Sequence, residues 1–165
     1  MTKNSLPLIL LSGLIITGLW LWQTESITPA PHVTFTTITG KKIELAKLQN
    51  KPVIVTFWAT DCAGCIKEIP HLIALYNQYH PLGLEIIAVA MYYDPPSHVV
   101  EMTKAKQIPY DVALDLKAEH AYAFGQVQLT PTTFLISSPG NIVMKKTGEF
   151  VITDIKQRLE NLFKG

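Results

Sequence analysis

The chain holds two cysteines, Cys62 and Cys65, and only two residues separate them. They follow the run 53–58, whose β-branched and aromatic residues are typical of a strand buried on both faces, and they precede a helical pattern. A thiol at the start of a helix faces unpaired N–H groups and the positive end of the helix dipole, which favour the reactive thiolate. Cys65 lies one turn further on, close enough to attack a mixed disulfide at Cys62. The spacing predicts dithiol exchange, with Cys62 as the exposed nucleophile and Cys65 as the sheltered resolving thiol.

A structural crosslink and a metal site are two other interpretations of this cysteine pair. A bridge over so short a loop removes little entropy from the unfolded chain, roughly 2 kcal/mol, and therefore makes a poor crosslink. Two thiolates supply half of a tetrahedral zinc shell, and the 5 histidines show no spacing typical of ligands. A copper site formed by Cys62, Cys65 and a histidine stays open as an alternative.

The composition excludes several other classes of protein. The 165 residues include 14 Lys+Arg and 13 Asp+Glu, and a formal net charge of +1 without a basic tract argues against a nucleic-acid partner. An apolar content of 48% is too high for a disordered chain, and two cysteines are too few for a disulfide-rich scaffold. The charged fraction of only 16% indicates instead that part of the chain does not lie in water.

The excess of apolar residues is concentrated in residues 6–22, where Leu, Ile and Trp predominate. A helix of about 20 residues crosses a hydrocarbon core of about 30 Å, and Trp20 and Trp22 suit the headgroup boundary. We therefore expect a transmembrane anchor over residues 1–25. A cleaved signal peptide is the main alternative, although its candidate cleavage site at residues 28–30 is a poor one.

The charges beside this segment indicate its orientation. Lys3 precedes the apolar run and Glu25 follows it, so the positive-inside tendency keeps the N-terminus in the cytoplasm. We expect a single-pass anchor in the inner membrane, a linker over residues 26–32, and a domain over residues 33–165 that faces the periplasm or the outside.

The sequence after residue 32 alternates the patterns of strands and helices. The predicted strands cover residues 53–58, 84–91, 112–114, 132–136 and 141–146, and the predicted helices cover residues 63–79, 97–107, 116–124 and 153–163. Ser97 is the expected N-cap of the second helix, and a hairpin over residues 33–45 turns at Thr39 and Gly40. The alternation predicts an α/β sheet with covered faces that ends in an antiparallel pair.

At the cysteine pair, the motif WATDCAGC followed by Pro70 resembles the thioredoxin fold. The stretches GKKIELAKLQNKPVIVTFWA and LTPTTFLISSPGNIV resemble the membrane-anchored TlpA/ResA-type thiol-disulfide oxidoreductases, and the likeness covers residues 33–163. The resemblance implies a thioredoxin-like fold, in which helices flank a central mixed sheet and residues 97–114 form an inserted helix and strand.

The same resemblance implies roles for residues outside the cysteine pair. Pro131 matches a cis proline that faces the cysteines, and with Thr130 it would present its backbone to a bound polypeptide as an extra strand does. Glu68 matches an active-site glutamate which, when partly buried, has a raised pKa and exchanges a proton with Cys65. The alternative for Glu68 is a solvated side chain paired with a basic neighbour in the helix.

Three further features beside the cysteines affect the expected site. Trp58 either packs behind the cysteines or forms part of a substrate-binding lip. Asp61 departs from the family pattern, in which an aromatic or small polar residue often stands directly before the first cysteine. A carboxylate at this position opposes thiolate formation at Cys62. The pair between the cysteines, Ala63–Gly64, lacks the proline common in thioredoxin relatives. Residues at these positions tune the reduction potential, so the potential typical of the family cannot be assigned to this chain from the resemblance.

These residues and the resemblance together predict a membrane-tethered thiol-disulfide oxidoreductase that reduces disulfides of exported proteins. It needs no cofactor beyond its own dithiol, and a transmembrane dithiol relay protein is the expected electron donor, with cytochrome c maturation as one possible setting. The alternatives are a thiol oxidase or a peroxide-handling redoxin with the same site, and a copper-binding assembly module. The reduction potential distinguishes the oxidase from the reductase.

Overall fold

The computed structural model of the protein describes residues 28–164. This range forms eight strands: β1 (Thr28–Pro29), β2 (Thr34–Thr36), β3 (Lys42–Glu44), β4 (Val53–Trp58), β5 (Glu85–Ala90), β6 (Asp111–Leu114), β7 (Thr132–Ile136) and β8 (Asn141–Thr147). Four α-helices fall in the same range: α1 (Ala63–Tyr79), α2 (Pro96–Ala105), α3 (Glu119–Ala123) and α4 (Ile152–Lys164). Short 3₁₀ helices cover Leu45–Leu48 and His80–Leu82.

Six of the strands form one mixed sheet in the order β1-β8-β7-β4-β5-β6. The central strands β4, β5 and β6 are parallel, whereas β7 is antiparallel to β4, and β8 is antiparallel to both β7 and β1. The register pairs Trp58 with Ala90 and Phe57 with Thr132. The carboxyl ends of the parallel strands and the start of β7 therefore share one edge of the sheet, and the cysteine motif emerges there. The predicted mixed sheet and its closing antiparallel pair are confirmed.

The sheet is buried on both faces, which explains why β4 is apolar except for Thr56, whose hydroxyl is hydrogen-bonded to that of Thr133. Side chains at alternate positions of a strand point to opposite faces, so Ile54 and Trp58 join a cluster beneath α1, α2 and α4, while Val55 and Phe57 join a second cluster. The second cluster is rich in phenylalanine, and it is covered by α3 and by the separate hairpin of β2 and β3. Both layers hold the end of β4 firmly in place.

The structure corrects three expectations about the elements. Helix α2 begins at Pro96 with Pro95 as its N-cap, so the prediction of Ser97 is wrong; proline suits a first turn whose N–H groups have no partner in the helix. Helix α3 is shorter than predicted, because residues 115–118 form a turn first. Finally, the predicted linker is wrong for the two residues of β1, since these pair with Ile142 and Asn141 in the sheet.

Within the described part of the chain, none of the helices is both long and apolar enough to cross a bilayer. The expected anchor at residues 6–22 lies outside the described residues.

Candidate active site

The turn between β4 and α1 carries the two cysteines. Cys62 is the N-cap of α1, and its Sγ accepts a hydrogen bond of 3.1 Å from the Cys65 N–H, one of the donors that a helix start leaves unpaired. The two sulfurs form a disulfide with an S–S distance of 2.11 Å. Cys62 is half-buried, whereas Cys65 is only 3% exposed. The more accessible sulfur therefore belongs to Cys62, the predicted nucleophile.

A buried carboxylate from a neighbouring strand end holds this turn. Asp94, which is 5% exposed, lies between β5 and α2. Its Oδ2 accepts a hydrogen bond from the Thr60 N–H and its Oδ1 accepts one from the Thr60 hydroxyl, both at 2.6 Å. Hydrogen bonds to an ionised carboxylate are the stronger kind, so Asp94 fixes the backbone two residues before Cys62. No local sequence pattern links Thr60 to a residue 34 positions away, and the sequence analysis missed Asp94.

Glu68 lies one helical turn beyond Cys65 and is 2% exposed. Its Oε1 accepts a hydrogen bond of 2.7 Å from the Phe150 N–H, while its Oε2 has no hydrogen-bond partner among the described residues. Burial raises the pKa of this carboxyl from 4.5 to about 7; the Phe150 hydrogen bond opposes the rise, and the charge of Glu149 adds to it. The alternative of a solvated glutamate is wrong, and the carboxyl can take up and release a proton near neutral pH.

Glu149 lies close to the cysteine loop, a contact that the sequence analysis did not find. A Cβ placed on Gly64 would lie 3.3 Å from both Cγ and Oε1 of Glu149 and 3.4 Å from Cδ of Pro131. Glu149 also forms an exposed ion pair of 3.5 Å with Lys67. Because Gly64 carries no side chain, the segment before α4 and the proline loop both pack directly on the residues between the cysteines.

The peptide bond between Thr130 and Pro131 is cis, as the resemblance implies. Pro131 is buried against Gly64, and its carbonyl accepts a hydrogen bond of 2.8 Å from the Gly148 N–H. Thr130 is half-buried at the edge of the same loop. The structure thus brings both residues to the cysteine loop from a position more than 60 residues along the chain.

Trp58 ends β4 and is only 3% exposed, in the same cluster as Cys65. Its indole therefore packs behind the cysteines, which is the first of the two interpretations offered by the sequence. The assignment of Trp58 as a substrate-binding residue is corrected, because a ring covered by α1 and the sheet offers no face to a partner.

An open groove of about 540 Å³ lies between the segment after β5 and the segment around α3. Its walls include Tyr92, Tyr122 and Gln128, and the two tyrosines are 57% and 70% exposed. Tyr92 lies two residues before Asp94, and Gln128 lies two residues before Thr130. Both groove residues are therefore close in sequence to residues of the site. The groove offers exposed aromatic surface.

A family model described as Redoxin matches residues 26–161. The chain belongs to the Redoxin family. Thiol-disulfide oxidoreductase ResA of Bacillus thuringiensis subsp. konkukian (strain 97-27) is 35% identical over 135 residues, which cover 82% of this redoxin and 75% of the relative. ResA of Geobacillus thermodenitrificans (strain NG80-2) is 32% identical over 133 residues, which cover 81% and 75% of the two chains.

Solved structures agree with this assignment of the redoxin. The crystal structure of a thiol:disulfide interchange protein of the thioredoxin family from Chlorobium tepidum TLS matches with a TM-score of 0.76 and 27% identity. The match covers 83% of this chain and 97% of the other. The predicted TlpA/ResA-like membership of the thioredoxin superfamily is confirmed, as are the thioredoxin-like α/β fold and the prediction of a thiol-disulfide oxidoreductase.

The geometry of this redoxin site supports two-electron exchange between dithiol and disulfide. An accessible sulfur at the N-cap, a sheltered sulfur bonded to it, and a buried carboxyl that titrates near neutrality lie within the first two turns of α1. Within residues 28–164, no group of three or more His, Cys, Asp or Glu side chains is arranged to hold a metal ion.

Proposed function

We propose that this redoxin is a membrane-tethered enzyme that reduces disulfide bonds in exported proteins. The observation that carries the proposal is the arrangement of the two sulfurs: Cys62 is the accessible one at the helix start, and Cys65 is buried directly behind it. A partner disulfide can therefore reach Cys62, while the thiol that must complete the reaction stays protected from side reactions.

The reaction passes two electrons from the dithiol to the substrate. The Cys62 thiolate attacks one sulfur of the substrate disulfide, which forms a mixed disulfide and expels the first substrate thiolate. The Cys65 thiolate then attacks the Cys62 sulfur, forms the Cys62–Cys65 disulfide and releases the second substrate thiolate. The substrate gains two electrons and two protons, and the enzyme is left oxidised. Because the two thiols supply all of these electrons, the proposal requires no metal or organic cofactor.

Glu68 is the proposed proton carrier for the second step. Cys65 must lose its proton before it can attack, and a buried carboxyl with a pKa near 7 can accept that proton at neutral pH. The hydrogen bond from the Phe150 N–H holds one carboxyl oxygen and leaves the other unengaged among the described residues. The carboxyl thus keeps a free lone pair for the transfer.

The surface beside Cys62 suits an extended segment of a protein substrate. We propose that Thr130 and Pro131 present their backbone to this segment, as an added strand would, and that the groove between Tyr92 and Tyr122 accommodates its side chains. Exposed tyrosines are effective contacts in protein recognition, because a rigid ring buries much surface at a small entropic cost.

The proposed anchor at residues 6–22 and the site are compatible with the topology of the sheet. β1, the first described element, pairs with Ile142, whereas Thr147 pairs with Thr132 at the edge that carries the site. Ile142 and Thr147 are five residue steps apart, which corresponds to about 17 Å along β8. A chain tethered at its N-terminus would therefore direct the cysteines away from the membrane, towards substrates in the periplasm or outside.

The oxidised enzyme must be reduced again before it can act on another substrate. We propose a transmembrane dithiol relay protein as the donor, because it carries electron pairs across the membrane to the side on which the exported domain lies. Exported apocytochromes c, whose cysteines must be reduced before haem attachment, are candidate substrates.

The test uses the reduced full-length protein and insulin as a model disulfide. The wild-type protein should reduce insulin, Cys62→Ser should abolish the activity, and Cys65→Ser should accumulate mixed disulfides with partner proteins. Glu101→Gln, an exposed carboxylate on α2, serves as the control and should leave the rate unchanged. A folded wild-type protein that reduces no disulfide contradicts the proposal. A reduction potential well above the value of about −270 mV typical of thioredoxin would assign the enzyme to oxidation instead.

A further inference from the structure

A small cavity lies behind the cysteines, between α1 and the sheet. Its volume is about 10 Å³, and its lining includes Trp58, Cys65, Glu68, Ile69 and Tyr110. Two of these residues each carry a buried polar atom that has no hydrogen-bond partner in the described part of the chain: Nε1 of Trp58 and Oε2 of Glu68. One is a donor and the other an acceptor, and both side chains line the same space.

An unpaired polar atom in the interior is costly, and the cost is greater when the atom belongs to a charged group. A cavity can hold a water molecule once it admits roughly one probe sphere and offers two to four polar partners. The indole N–H of Trp58 and the free carboxyl oxygen of Glu68 provide two partners, since both side chains line the cavity.

We propose that one ordered water molecule occupies this cavity and joins the Trp58 N–H to Glu68 Oε2. Trp58 is then a positioning residue that acts on Glu68 through the water. The inference rests on the proposed function for its catalytic meaning, since Glu68 is the proton carrier of that function, but the water site itself does not depend on activity.

A water molecule suits this position because it serves both protonation states of the carboxyl. It accepts a hydrogen bond from the indole N–H in either state, whereas it donates to Oε2 when Glu68 is ionised and accepts from the carboxyl O–H when Glu68 is protonated. The indole polarises the water towards donation, so the bridge favours the ionised form. Removal of the indole N–H should therefore raise the pKa of Glu68 further.

Other groups that face the Glu68 carboxyl remain unchanged in such a variant. The Phe150 N–H donates to Oε1, Glu149 adds negative charge and is paired with Lys67, and Tyr110 lines the same cavity. The His71 ring packs on Phe150, with a centroid distance of 6.4 Å. A change seen on substitution of Trp58 can thus be assigned to the indole.

The first experiment detects the water directly in the oxidised full-length protein, in which the cysteines do not titrate. Replacing Trp20 and Trp22 by phenylalanine leaves Trp58 as the only indole of the three in the sequence. We expect cross-relaxation between the Trp58 indole N–H and a long-lived water in an NMR experiment that separates it from chemical exchange. The indole ¹⁵N shift should titrate with the Glu68 carboxyl, and Glu68→Gln should remove this titration.

The second experiment replaces the indole. In Trp58→Phe, the carboxyl ¹³C signal of Glu68 should titrate about one pH unit higher than in the wild type, a roughly tenfold change in proton affinity. The matched control is Ile69→Val, which enlarges the same cavity without removing a polar atom and should leave the titration in place.

The proposal is overturned if no long-lived water contacts the indole, or if the indole shift stays constant while Glu68 titrates. It is also overturned if Trp58→Phe and Ile69→Val shift Glu68 equally, since cavity size alone would then explain the change. Should Trp58→Phe fail to fold, the wild-type NMR measurement still decides the matter. Insulin reduction is measured separately, so loss of the water site and failure of the proposed function are distinguishable outcomes.

Discussion

Replacing Glu68 by glutamine tests the buried carboxyl at the centre of the site. Glutamine keeps the shape of the side chain and can still accept the hydrogen bond from the Phe150 N–H, but it never ionises. In the wild type, burial raises the pKa of Glu68 from 4.5 to about 7. The folded protein therefore holds a proton over a pH range in which the unfolded chain has already released it.

The sign of the effect on stability follows from this difference. Wherever the folded state binds more protons than the unfolded state, the free energy of unfolding falls as the pH rises. The wild type should thus lose stability from about pH 4.5 to about pH 7, and the loss should then stay constant. A rise in pKa of this size corresponds to roughly 3 kcal/mol, at about 1.4 kcal/mol for each pKa unit.

The assay is urea denaturation of oxidised wild type and Glu68→Gln across this pH range. The free energy of unfolding of the variant, minus that of the wild type, should increase by roughly 3 kcal/mol between about pH 4 and about pH 8. Because only the change with pH is compared, any constant cost of the glutamine amide cancels. Glu101→Gln is the matched control and should give a difference that does not vary with pH. If the unfolding free energy of Glu68→Gln minus that of the wild type stayed constant to within about 0.5 kcal/mol across this pH range, the argument for a buried carboxyl with a raised pKa would be refuted.

Three further substitutions test contacts around the site. Asp94→Asn removes one of the two acceptors that hold Thr60, and should cost about 1–3 kcal/mol of unfolding free energy and slow insulin reduction. Glu149→Gln removes a negative charge near Glu68, so the midpoint of the Glu68 ¹³C titration should move to lower pH. Phe124→Ala opens a cavity in the phenylalanine cluster and should cost roughly 3–5 kcal/mol in urea denaturation, with the reduction potential unchanged.

Each of these substitutions has an outcome that contradicts its reasoning. Full stability and full activity of Asp94→Asn would mean that the turn before Cys62 does not depend on the carboxylate. An unchanged or higher Glu68 midpoint in Glu149→Gln would show that its charge does not reach the site. For Phe124→Ala, a loss below about 1 kcal/mol would mean that the cluster relaxes to fill the space.

The fold could be predicted from the sequence to the extent that its signals are local. The buried run of β4, the helical spacing of α1 and the turn between β7 and β8 each lie within a short window, and the structure has all three. The two-residue strand β1 was missed because its two residues carry no pattern of their own; they form a strand only because β8 offers a free edge. The N-cap of α2 was predicted at Ser97 and is found at Pro95, because serine and proline both mark helix starts and here they compete.

The same division holds for the site. Cys62, Cys65 and Glu68 follow one another at three-residue intervals at the start of α1, so their spacing places each within about one helical turn of the next. The proposed role of Glu68 in the reaction came from the resemblance. The resemblance added Pro131, but its contact with Gly64 depends on β7 pairing beside β4.

Only the tertiary structure decided how acidic Glu68 is and what holds the cysteine turn. The donor to Glu68 comes from Phe150, 82 residues away, and the acceptor for Thr60 comes from Asp94, 34 residues away. Burial depends on which elements cover a side chain, and it removed Trp58 from the surface while raising the pKa of Glu68. The sequence therefore determined which groups lie together at the start of α1, because their spacing is local. The packing of distant segments determined how they are exposed and protonated, because desolvation and hydrogen bonding depend on neighbours that the chain brings together only on folding.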